Sequence, residues 1–204
     1  MQHLSHSIVL RKEQQRQPTI ETNPMFQIDL VAQCKANNRK AQLQLYKQYC
    51  DGMFYVAMRF LKNEDDAEDV LQESFIKAFQ KIEQFKGEVT FGAWLKRIVV
   101  NKSIDFLKSK KQQQVAFEES HMQIVEDDDW NIDHTHTITT VKMAMEQLPD
   151  TYKYVVQLYL IEGYDHSEIA EILDLSGTAC RTRLRRGKGI LKTLLKDRIH
   201  ETGS

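Results

Sequence analysis

The chain has 204 residues with 28 Lys and Arg against 29 Asp and Glu, a formal net charge of −1, 41% hydrophobic and 28% charged residues. This is the make-up of a globular chain large enough for one big or two small cores, and its balanced charge gives no overall footprint for nucleic acid. It excludes a membrane-spanning helix, which needs roughly 20 apolar residues in a row, and the short Ile8-Val9-Leu10 run is no signal-peptide core.

Residues 1–24 are rich in Gln, Arg and Ser, carry Pro18 and Pro24, and read as a mobile N-terminal tail. Helical spacing starts near Met25 and runs to Leu61 through Ile28, Val31, Leu45, Tyr49, Met53, Val56 and Phe60, with a break at Asn37-Asn38. Gly52 lowers helix propensity without ending the pattern. Asn63 to Asp66 supply capping chemistry for a helix over about residues 66–84. Ala67, Val70, Leu71, Phe75, Ala78, Phe79 and Ile82 form its inner face, leaving Asp69, Gln72, Glu73, Lys77 and Gln80 outside. That acidic-amide stripe is either a solvated surface or a dock for a basic partner.

Phe85 to Trp94 is a short segment bracketed by glycines and dense in aromatics; it feeds a helix carrying Lys96, Arg97, Lys102, Lys108, Lys110 and Lys111. Rings beside cations on a loop suit unstacked bases of a single strand. The competing reading makes Phe85, Phe91 and Trp94 core plugs, and helical spacing favours it for Trp94. Asn101 and Asp105, an i,i+4 pair, are expected to satisfy one another.

Periodicity vanishes over residues 112–136, where Glu118, Glu119, Glu126 to Asp129 and Asp133 accumulate, the pattern of an acidic flexible linker extended by its own repulsion. His134 and His136 lie there beside carboxylates, but without the fixed spacing that a helix gives metal ligands. Cys34, Cys50 and Cys180 are too scattered for a disulfide framework or zinc pattern, which fits a reducing, cytoplasmic setting.

A second helical domain is expected over residues 137–198. Val141, Met145 and Leu148 mark a helix stopped by Pro149; another follows with Tyr154, Val155, Leu158 and Ile161 inward and Gly163 as its cap. Asp165 and Glu168 have the spacing of a capping box, and Ala170 is small enough for a close helix crossing. The segment ends at a Ser176-Gly177 corner, after which an Arg-rich segment begins: the layout of a helix-turn-helix. Stepping about 100° per residue from Cys180 places Leu184, Gly187, Leu191, Leu194 and Leu195 within about 60° of it. Arg181, Thr182, Arg185, Lys192 and Lys196 fall on the other half with Thr178 beside them, and Arg186 on the outer flank. Guanidinium forks on that face match guanine edges and phosphates. No strand pattern occurs anywhere, so the chain reads as all-α, two small helical domains with the second a helix-turn-helix. Walker-type, nucleophile-elbow and zincin motifs are absent, so no catalytic residue, cofactor or metal is expected.

Two separated blocks resemble one family. Asp66-Ala67-Glu68-Asp69-Val70-Leu71-Gln72-Glu73-Ser74-Phe75, with Phe85-Lys86-Gly87, Phe91, Trp94 to Ile98, Asn101 and Asp105, is similar to the first conserved domain of extracytoplasmic-function sigma factors. Leu148-Pro149, Glu162-Gly163-Tyr164, Glu168 to Leu173 and Arg181 to Leu184 resemble their second. The resemblance implies a dissociable initiation subunit of bacterial RNA polymerase, with residues 25–111 and 137–198 as the two domains. Asp69, Gln72 and Glu73 would dock on core polymerase. Lys86, Phe91, Trp94, Lys96, Arg97, Asn101 and Lys102 would hold the melted −10 strand. Thr178, Arg181, Thr182, Arg185 and Arg186 would read the duplex −35 element, with Lys188 on phosphate, while the linker threads toward the polymerase cleft. An anti-sigma factor is a further partner class that the resemblance admits. The chain departs from the family pattern at Thr178-Ala179-Cys180, where Gly-Thr-Val is frequent, at Gln42, usually apolar, and at Gly187, usually Ala, which is expected to loosen the helix. Two other readings compete: a stand-alone helix-turn-helix transcriptional regulator binding symmetric sites, and a metal enzyme built on His134 and His136.

Overall fold

A computed structural model of the chain describes residues 24–113 and 137–202, with side chains from Asp29 to Lys110 and from Thr137 to Lys196. Among these residues the fold is wholly helical: α1 (Pro24–Lys35), α2 (Arg39–Leu61), α3 (Glu64–Gln80), a 3-10 turn (Ile82–Gln84), α4 (Phe91–Gln113), α5 (Ile138–Glu146), α6 (Asp150–Leu160), α7 (His166–Leu173) and α8 (Gly177–Thr202). The expected tail, except Pro24, and most of the expected linker, with His134 and His136, lie outside the described residues. The chain divides between Ser103 and Ile104 into two compact units. That division falls inside α4, which continues as helix to Gln113.

In the first unit the breaks are made by local chemistry. Asn37 takes a left-handed φ of 58°, and the Asn38 side chain accepts from Lys40 and Ala41 N–H to start α2. The helix runs through Gly52 and ends at Lys62, which is also left-handed. Asn63 Oδ1 accepts from Asp66 N–H at 2.9 Å, and Glu64, Asp65 and Asp66 then sit at the positive end of the α3 dipole. The core is the packed faces of α1 to α4, with Leu45, Ala57, Phe60, Leu71, Phe75, Leu95 and Val99 all buried. Buried Ser74 and Ser103 donate to the carbonyls of Val70 at 2.6 Å and Val99 at 2.8 Å, so neither hydroxyl is left unsatisfied.

In the second unit α8 packs on α5, α6 and α7. Val155, Val156, Leu158, Ile169, Leu184, Leu191 and Leu195 supply the core. Ile161, expected inward, is instead 37% exposed. The α6 helix stops at Leu160 and the chain turns through Gly163 at φ +76°, so Ile161 sits beyond the last regular turn. Burial, with Asp150 and Glu146 nearby, pushes the half-buried Tyr154 phenol up to about 12.

Gly187 has a packing role that the sequence does not show. It is buried, and a β-carbon there would stand 2.6 Å from Val156 Cγ2 and 3.1 Å from Tyr152 Cβ. Glycine here lets α6 approach α8. Ala170, expected at a close crossing, is half-buried. Gly187→Ala should therefore destabilise the chain by about 1–3 kcal/mol through overpacking, despite the roughly 1 kcal/mol of helix propensity that alanine adds. Urea melts should show this, with the loss reduced in a Gly187→Ala, Val156→Ala double variant.

Candidate nucleic-acid interface

The capped turn and basic helix of the second unit are assembled from the turn outward. Asp165 accepts from Ser167 N–H at 2.7 Å and Glu168 N–H at 2.9 Å, while Glu168 Oε2 accepts from Asp165 N–H at 3.0 Å. This reciprocal box starts α7 where the sequence places it. Asp174 ends α7 in the left-handed region at φ 57°, and Leu175 N–H bonds back to Ala170 C=O at 2.9 Å. Ser176 Oγ then accepts from Ala179 N–H at 3.1 Å, capping α8.

The angular reading of α8 is realised over its first turns; farther along, Leu194, expected inward, and Lys192, expected outward, are both half-buried. Cys180, Leu184, Gly187, Leu191 and Leu195 are buried, and Thr178, Arg181, Thr182, Arg185 and Arg186 are exposed. Cys180 fills the inner slot left by the departure from Gly-Thr-Val, and burial pushes its thiol pKa up despite Arg181 and Arg183. The arc presents Arg181 and Arg185 about one helical turn apart, with Arg186 next to Arg185, beside two hydroxyls. Lys188 is a correction. It is half-buried, its Nζ lies 4.3 Å from the centroid of the Tyr159 ring on α6, and burial holds its pKa below the usual lysine range. The Tyr159 ring in turn packs edge-on to His166 at 5.4 Å. The ammonium thus faces the α6 seam, where a phosphate has to compete with the ring.

In the first unit the aromatic segment divides into a buried part and an exposed part. Phe91 is only 2% exposed, its ring 5.5 Å from Tyr49, 5.7 Å from Phe85 and 5.6 Å from Trp94. It is a core plug here and is not presented to a base, because α4 starts at that residue and turns it inward. Gly92 allows the same close seat, since a β-carbon there would stand 2.8 Å from Tyr49 Cε1. Trp94 is half-buried, and Lys86, Gly87, Glu88, Val89 and Thr90 are exposed. Lys96, Arg97, Asn101 and Lys102 are half-buried along α4. The expected Asn101–Asp105 pairing is absent, since the Asn101 amide makes no hydrogen bond to the Asp105 carboxylate, and Asn101 Oδ1 is buried without a hydrogen-bond partner.

Asp69, Gln72 and Glu73 are exposed on one face of α3, and Ile76, 57% exposed, extends that face. The sequence reading passed over Ile76; an isoleucine one turn beyond Gln72 and Glu73 in a polar stripe was its signal. Glu73 Oε2 accepts from Lys102 Nζ at 2.7 Å, so two residues expected at different interfaces touch. Lys35 has no such local signal; its Nζ donates to the Phe85 carbonyl at 2.9 Å across 50 residues of sequence. Among the described residues no cluster of His, Cys, Asp and Glu suits a metal ion, and no helix is long and apolar enough to cross a membrane.

Comparison with known proteins adds an independent line. The pattern described as Sigma-70 region 2 matches residues 45–113, and that described as Sigma-70, region 4 matches residues 139–191. The chain is 32% identical over 178 residues to the ECF RNA polymerase sigma factor SigW of Bacillus subtilis, covering 82% of this chain and 95% of that protein. It is likewise 32% identical over 143 residues to the RNA polymerase sigma factor SigV of the same organism, covering 70% and 84%. Among solved structures, CnrH in complex with the cytosolic domain of CnrY aligns with a TM-score of 0.50 at 25% identity, covering 84% of this chain and 97% of that one.

The Glu73–Lys102 contact joins side chains that are 62% and 29% exposed, so its contribution is expected to be small. A double-mutant cycle of Glu73→Gln and Lys102→Met should give a coupling below about 1 kcal/mol, fading further in high salt. A larger, salt-insensitive coupling would contradict that assignment.

Proposed function

The chain belongs to the extracytoplasmic-function sigma factors of the sigma-70 family and is an RNA polymerase sigma factor, and from that premise we propose how its two units divide promoter recognition. The second unit lays α8 in the major groove of the −35 duplex. Arg181 and Arg185, one turn apart and exposed, read base edges, with Thr178, Thr182 and Arg186 beside them. The observation that carries this is the division of α8 into a buried apolar stripe and an exposed basic arc, entered through a capped turn. Lys188 reaches phosphate only by leaving Tyr159.

The first unit takes the melted −10 strand on its exposed segment 86–90 and the start of α4. Trp94 offers a partly open ring, and Lys96, Arg97 and Lys102 follow the backbone. Asn101 reaches a base edge only once its buried, unpartnered oxygen is uncovered. Phe91 shapes the site from beneath. The α3 face of Asp69, Gln72, Glu73 and Ile76 docks on core polymerase, which performs the synthesis. The chain itself contributes binding energy and no catalytic group, and it works in the cytoplasm where the polymerase is. We assign residues 25–111 and 137–198 to the two binding domains. The solved relative CnrH is held in a complex with the cytosolic domain of another protein, and we place this chain under a partner of the same kind, an anti-sigma factor.

In-vitro transcription with core polymerase tests the reading. Arg181→Ala and Arg185→Ala should each weaken promoter use by about 5- to 100-fold, the range of 1–3 kcal/mol for one base contact, and relax base choice at −35. Unchanged promoter selection in both would remove α8 as the reader. Gln72→Lys with Glu73→Lys should lower affinity for core polymerase by about tenfold or more, as like charges meet across the interface. Circular dichroism should show the isolated fold intact, and unaltered affinity would exclude this face.

A further inference from the structure

The segment between the 3-10 turn and α4 is exposed from Lys86 to Thr90, yet both of its ends are held. At the exit, Thr90 Oγ1 accepts from Ala93 N–H at 3.2 Å, Thr90 C=O accepts from Trp94 N–H at 3.1 Å, and Phe91 is buried directly after. At the entry, Phe85 N–H bonds to Ile82 C=O at 3.1 Å, and the half-buried Phe85 ring lies 5.4 Å from Trp94. Those contacts fix the Phe85 amide and side chain. They leave its carbonyl, which heads the peptide leading into Lys86 and Gly87. That carbonyl receives Lys35 Nζ at 2.9 Å from the last residue of α1. Gly87, at φ +80°, then bends the chain in a conformation that L side chains rarely adopt.

We infer that Lys35 is a positioning residue for −10 strand recognition, a role resting on the proposed reading of residues 86–90 as the strand-binding segment. An ammonium on a carbonyl is a charge-assisted hydrogen bond. Here it sets the direction in which the chain leaves Phe85 and hence where Lys86 and the segment tip stand before DNA arrives. A segment ordered in advance loses less conformational entropy on binding than one that orders with its ligand. Lys35 touches no base or phosphate in this scheme; it acts through the Phe85 peptide.

The test uses holoenzyme reconstituted from the full chain and core polymerase. It is offered a duplex with a central bubble, one strand of which is randomised, and the retained strands are sequenced. Lys35→Met keeps the aliphatic stem and removes the donor; Lys35→Arg keeps a donor. The expected result is a loss of about tenfold or more in strand enrichment with Met, the order set by losing one hydrogen bond from a charged group, and recovery with Arg. Core affinity should be unchanged, and faster amide hydrogen exchange should be confined to residues 86–90. If Lys35→Met selects like wild type while Lys86→Ala loses selection, the segment binds the strand but Lys35 does not position it. If neither variant alters selection, the strand-binding reading falls and takes this inference with it. Faster exchange throughout the first unit in Lys35→Met would make Lys35 a residue of the fold and would equally overturn the inference.

Discussion

The crossing of α6 and α8 at Gly187 sets the geometry on which the reading head depends. A helix that must carry both a core stripe and a ligand-facing arc has little rotational freedom, because successive residues turn by about 100°. Val156 and Tyr152 press on the backbone at Gly187, while Leu184 and Leu191, about one turn to either side, are buried. With three consecutive turns of the inner stripe engaged, Arg181 and Arg185 have only the outer face left. Lys188 stands where stripe and arc meet, and the Tyr159 ring draws it inward. The same packing that orients the readers therefore determines which neighbouring cation is kept back.

The first unit meets a similar demand differently. The segment we assign to the −10 strand is not a helix face but a short exposed stretch, so it has to be fixed from its ends. Phe91 does this at the exit by entering a cluster with Tyr49, Phe85 and Trp94; such ring contacts add about 0.5–1.5 kcal/mol each beyond burial. The buried ring thus holds the exposed segment next to it in place. The Glu73–Lys102 contact adds a link of another sort. It joins the α3 face assigned to the polymerase with the α4 face assigned to the strand, so whatever engages Glu73 also alters the electrostatic surroundings of Lys102.

Much of this was legible in the residues because it is written in local chemistry. The break at Asn37-Asn38, the capping chemistry at Asn63, the Asp165–Glu168 box and the split face of α8 all rest on residues close together in sequence. The acidic-amide stripe of α3 was legible for the same reason. What escaped was tertiary. Gly187 reads as a weak helix residue until Val156 is seen against it, and helix propensity carries no information about a neighbouring helix. The Lys35 bond to Phe85 spans 50 residues, and the terminal lysine of a short helix has no pattern that announces such a partner. Ile161 failed through a boundary: periodicity was carried one residue past the point where the helix stops. Asn101 and Asp105 have the right spacing to pair, but spacing permits a contact without compelling it.

The near-zero total charge follows from the same division of work. A uniformly basic chain would bind any duplex through phosphates, at a strength set mainly by salt. Here the cations are concentrated on α8 and along α4, while acids are gathered over residues 118–133 and at the start of α3. At physiological ionic strength, charges separated by more than about 8 Å are largely screened from one another. The basic arc is thus felt close to the groove, whereas at a distance the chain presents almost no net attraction. Weak general affinity with strong local complementarity suits a subunit whose DNA contacts matter only once a larger enzyme holds both units against the promoter.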